Sequence, residues 1–85
     1  MTTFASVTMQ NAWVHIPSEA ELESRYALTA SLDPRFARLD RQFWESRTES
    51  QLRVLKSQAW HDNDSGAYQT ARAYLVKLGA QPWEA

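Results

Sequence analysis

Apolar side chains recur at helical pitch in four separate runs along the chain, and alternate with polar ones only near its start. Leu22, Tyr26 and Ala30 make the first stripe. Phe36, Leu39 and Phe43 make the second, at i, i+3 and i+7. Leu52, Leu55 and Ala59 make the third, with Val54 and Trp60 on opposite flanks, so that one of the two is expected to meet another neighbour or stay partly wet. The fourth is the broadest, with Ala67, Tyr68, Ala71, Tyr74, Leu75 and Leu78 on one face.

Punctuation agrees with the stripes. Ser18 followed by Glu21, and Thr48 followed by Gln51, are capping-box pairs. Glu19 and Glu21 also suit the positive end of a helix dipole. Asp33-Pro34 offers a cap and then a proline at the first helical position. His61 to Gly66 is a turn rich in capping residues, and Gly79 stands where a left-handed residue ends a helix. In Thr2 to Ile16, Ala5, Val7 and Met9 alternate with polar neighbours, Gln10-Asn11 can turn, and Trp13 to Ile16 offers a second extended piece. The pattern therefore predicts a mostly α single domain over residues 1–85. It is a compact bundle of about four short helices, with residues 1–16 as an arm or β-hairpin packed against it and residues 80–85 as a tail.

Composition narrows the chemistry. Ten aromatics in 85 residues supply much of the core area available to so small a chain. Cysteine is absent, which removes disulfides and thiolate metal sites. Met1 to Gln10 does not read as a secretory signal, and no run approaches the roughly 20 apolar residues of a membrane span, so a soluble, cytosolic protein without membrane contact is expected. The net charge is −1, against the unopposed cations that nonspecific nucleic-acid binding needs. That charge is uneven: residues 33–56 hold six basic and four acidic side chains.

Catalytic equipment is missing from the pattern. No Gly-x-Ser-x-Gly elbow occurs, and His15 and His61 are the only imidazoles. Two isolated glycines form no phosphate loop, so no cofactor is expected. His61, Asp62 and Asp64 are read as turn and cap residues rather than metal ligands: Gly66 comes one residue early for a calcium loop and Ala73 stands where its glutamate belongs. No catalytic or metal site is assigned, and the chain is not expected to be an enzyme.

Tryptophan carries the functional expectation. Four are many for so small a domain, where they either close the core or anchor a partner, and Trp and Arg are enriched at interface hot spots. The expected function is a non-catalytic protein-binding module, an adaptor or inhibitor acting by steric occlusion. Trp44, Trp60 and Trp83 are its candidate anchors, and Arg35, Arg38 and Arg41 steer it to a partner with an acidic or apolar patch. A homo-oligomer using the same surface is the nearest variant. In general character, without a motif behind it, the chain resembles small accessory proteins of phages and plasmids. The alternative is a helix-turn-helix-like regulator built from Thr48–His61 and Ser65–Leu78, with Gln69 and Arg72 facing base edges and Lys77 a phosphate. Asp62 and Asp64, at the leading end of that helix, would repel DNA.

Overall fold

The computed structural model describes residues 13–85, in which four helices run α1 (Glu19–Leu32), α2 (Pro34–Glu45), α3 (Glu49–His61) and α4 (Ser65–Lys77). Each begins on the residue whose side chain can satisfy its first free amides. Ser18 and Thr48 accept from the amides of Glu21 and Gln51, whose side chains accept in return from the cap amides. Asp33 accepts from the Arg35 amide ahead of Pro34, and Asp64 from the Ala67 amide.

The turns after α3 and α4 close in the same way. After α3, the Asp64 amide donates to the Ala59 carbonyl and the Asn63 amide to that of Trp60, with Asn63 left-handed at φ 57°. After α4, Ala80 donates to Leu75 and Gly79 to Val76, with Gly79 at φ 108°. These are Schellman ends, which satisfy carbonyls the helix leaves open.

Packing joins α1 to α2 and α3 to α4, and α4 is the central element. Leu22 and Tyr26 of α1, Leu52 of α3, and Ala73, Tyr74 and Leu75 of α4 form the core with Ala85; Ile16, Trp44 and Val76 close it. Every residue from Gln69 to Leu75 is buried. Seven successive residues span about two turns, so α4 is covered on all sides rather than along one stripe. The covering comes from α1, α3, the segment around Trp13 and the tail. Arg25 ties α1 across the start of α4, donating to Thr70 Oγ1 at 2.9 Å and to Gln69 Oε1.

Three expectations change. Trp13 and Val14 are helical, not extended; the rest of the hairpin expectation, Thr2 to Ala12, lies outside the described residues. The face expected to turn α2 inward does not: Leu39 is 55% and Phe43 41% exposed, and the side chain of Phe36 lies outside the described residues. Trp44 and Arg41 face in instead, Trp44 stacking on Tyr74 at 6.0 Å and Arg41 lying 4.8 Å over the Tyr26 ring. A stacked indole and a cation–π pair there outweigh the burial that Leu39 would have gained. Leu78, assigned to the buried face of the last helix, caps it and is exposed. None of the described helices is long and apolar enough to cross a membrane.

Candidate functional site

Lys56 and Trp60 stand one turn apart on α3, and Tyr68 follows in the first turn of α4. The turn at Asn63 folds α4 back on α3, so Trp60 and Tyr68 meet with ring centroids 5.7 Å apart. Trp13 makes the third ring. It lies 4.8 Å from Trp60 and meets Tyr68 edge-on at 4.9 Å. Such offset and edge contacts suit the ring quadrupoles. Trp60 nonetheless stays 53% exposed, and Trp83, from the tail, is 79% exposed. Together these rings border an open cleft of about 380 Å³ whose lining also includes Lys56, Arg72 and Glu84.

The floor of the cleft is built from cations holding backbone. Arg72 is 9% exposed, and its guanidinium donates to the main-chain oxygens of Val14 at 2.6 Å, Pro82 at 2.7 Å, Trp13 at 3.1 Å and Ala85 at 3.3 Å. Lys56 Nζ donates to the main-chain oxygen of Ala85 at 2.9 Å, and Arg53 to the Glu84 carbonyl at 3.2 Å. One planar fork thus staples both flanking segments of the chain to α4, a role an ammonium cannot fill as well. Arg53 also pairs with Glu49. Burial, and then repulsion from Arg53 and Arg72, holds the Lys56 ammonium below the usual lysine range.

The nine side chains singled out from sequence do not form one surface. Trp60 and Trp83 come together in the cleft; Trp44, Arg35, Arg38 and Arg41 do not line it. Trp44, expected as a free anchor, is partly buried against the core, between Tyr74 and the edge of Phe43. Arg35 is held by Asp33 at 2.9 Å. Arg41 is held by Glu23 at 2.7 Å. Its Nε is buried over Tyr26 with no hydrogen-bond acceptor. Arg38 remains at the exposed surface.

The other trio is dispersed too. Gln69 and Arg72, expected to face away from the apolar side, are each 9% exposed. The segment around Trp13 and the tail cover the α4 face that a bare two-helix unit would have left open. Lys77 is exposed, but it binds Glu19 at 2.6 Å and lies over Tyr74. Asp64 caps α4, as read from the sequence.

Sequence reasoning left Trp13, Lys56 and Tyr68 out of the site. A signal existed for two of them: Lys56 lies four residues before Trp60 on one helical face, and Tyr68 flanks the tight turn across from Trp60. Nothing local ties Trp13 to either. A second apolar groove, about 370 Å³, runs between α2 and α3 and is lined by Phe43, Arg47, Val54 and Leu55.

No family model matches the chain, and neither a curated protein nor a solved structure is found to be similar to it.

Proposed function

We propose that the protein is a non-catalytic protein-binding module that acts by covering part of a partner's surface, with the Trp60–Trp83 cleft as its contact. The observation that carries this reading is the exposure of two large indoles, 53% and 79%, at the rim of one cleft. An exposed indole in a chain short of core material forgoes burial energy of about 2 kcal/mol or more, which a partner can recover. Rigid rings also lose little freedom on binding, which is why such residues dominate interface energetics. The cleft offers ring faces and positive charge rather than an imidazole–hydroxyl pair, which supports contact over reaction.

The test is capture of partners by tagged full-length protein, compared with Trp60→Ala and Trp83→Ala. The reading expects one protein to be lost from both variants, with Trp83→Ala melting within a few degrees of the parent and Trp60→Ala, which gives up its ring contacts with Trp13 and Tyr68, melting lower but still cooperatively. Sedimentation of the protein alone separates a second copy of the chain from a foreign partner. Loss of no protein from either variant, with no self-association, refutes the reading.

A further inference from the structure

The outer face of α2 is apolar between two opposite charges. Leu39 and Phe43 are one turn apart and both exposed, and Phe43 lines the groove that Val54 and Leu55 border on α3. Asp40, also exposed, stands three residues before Phe43 on the same side of the helix. Arg47 follows four residues after it. Its guanidinium lies 4.6 Å over the Phe43 ring and donates to the Phe43 carbonyl at 3.0 Å and to Ser46 Oγ at 3.1 Å. These neutral contacts fix where the positive charge sits. Asp40 accepts from Thr29 Oγ1 at 3.5 Å, and among the described residues neither Asp40 nor Arg47 takes part in an ion pair. No carboxylate lines the groove.

An order of anion, apolar ring and cation along one helix face is complementary to itself when reversed. We propose that two copies of the chain pair through this face about a twofold axis near Phe43, with their α2 helices antiparallel. Each copy's Asp40 then lies beside the other's Arg47, whereas a parallel pairing would set like charges side by side. In the same arrangement Leu39 of one copy comes level with the turn at Arg47 of the other. There the groove of about 370 Å³ has room for a leucine side chain. The burial that Leu39 and Phe43 forgo within one chain is recovered between two. This surface shares no lining residue with the Trp60–Trp83 cleft, so the proposal goes beyond the protein-binding reading and leaves that cleft free.

The experiment is sedimentation of the full-length protein from micromolar to millimolar concentration, with folding of each variant checked by circular dichroism. The parent is expected to pass from monomer to dimer within that range, as a small interface should. Leu39→Glu, at an exposed position, should weaken the dimer about tenfold or more without unfolding the chain. Asp40→Arg and Arg47→Asp should each lose self-association, because like charges then meet at both ends. Mixed in equal amounts, those two variants should associate with each other to within about threefold of the parent's affinity, since every pair is again of opposite sign. A parent that stays monomeric at millimolar concentration overturns the proposal, as does a dimer that survives in Leu39→Glu. Two folded charge variants that do not associate when mixed overturn it too. The Leu39→Glu comparison decides even where Arg47→Asp fails to fold. Association lost in Trp60→Ala and Trp83→Ala but kept in Leu39→Glu places self-contact at the cleft: this proposal then falls and the protein-binding reading stands. Association that those tryptophan variants keep belongs to α2 and does not count in favour of the cleft.

Discussion

Replacing Arg72 with methionine tests the claim that a buried guanidinium fastens both flanking segments to α4. Methionine keeps the length and apolar stem but gives up five N–H donors. Four main-chain oxygens lose a charged donor: those of Trp13, Val14, Pro82 and Ala85, the last of which keeps Lys56. At about 1 kcal/mol net for each, the loss is roughly 4 kcal/mol. Relief of the desolvated charge returns about 1–2 kcal/mol, since isolated buried ions are costly. The expected net destabilisation is therefore about 2–3 kcal/mol. A domain of 85 residues has a total stability of roughly 4–13 kcal/mol, so this is a large share. It corresponds to a fall in melting temperature of about 8–24 °C at the 4–8 °C per kcal/mol typical of this size. Urea unfolding followed by circular dichroism gives the free energy, and limited proteolysis should show cleavage after the tail is released. Arg72→Lys should fall between parent and methionine variant, because an ammonium cannot reach all four oxygens in one plane. A methionine variant as stable as the parent would show that the ion and its bonds merely balance, and the staple would lose its energetic meaning.

Three further outcomes follow from the same geometry. Gly79→Ala should destabilise by about 1 kcal/mol in urea unfolding, because φ 108° strains any residue with a Cβ, even though open space surrounds the position. Leu75→Ala, at a fully buried site, should cost about 3–4 kcal/mol, while Leu39→Ala, 55% exposed, should change stability by less than about 1 kcal/mol in the same assay. Burial, and then the Tyr26 hydroxyl, pushes the Tyr74 phenol above the usual tyrosine range. The folded chain thus keeps a proton that the unfolded chain loses near pH 10, so this stabilisation is present below that pH and is lost as pH rises beyond it. The double variant Tyr26→Phe/Tyr74→Phe should lose less stability than the parent between about pH 10 and 12, measured by urea unfolding at each pH; equal losses would reject the assignment.

Helix boundaries were legible because caps are local. Ser18 with Glu21, Thr48 with Gln51, Asp33 before Pro34, and Gly79 each satisfy amides or carbonyls within a few residues. What each helix buries is decided by distant partners. On α2 the apolar spacing of Leu39 and Phe43 pointed to one face, while Glu23, Tyr26 and Tyr74, contributed by α1 and α4, draw Arg41 and Trp44 inward. On α4 an amphipathic stripe was visible, but the cover over its far side comes from Trp13 and Pro82 to Ala85, which no periodicity connects to it. One sign was available: Arg72 lies between Ala71 and Ala73, both nearly inaccessible, and small residues let neighbouring backbones close on a helix from both sides. Of the proposed contact, Trp60 and Trp83 stood out in the sequence as large rings off the main stripes; Trp44, singled out on the same ground, stacks on Tyr74 of α4, because a ring off its own helix's stripe can still pack on another helix.

Arg72 grips main-chain oxygens, and those oxygens are present whatever residue occupies positions 13, 14, 82 or 85. Trp83 stands between two of these anchor points with most of its surface in solvent. The scaffold is therefore blind to the identity of the side chain displayed there. Exchange at position 83 can thus alter the displayed surface while the folding free energy barely moves.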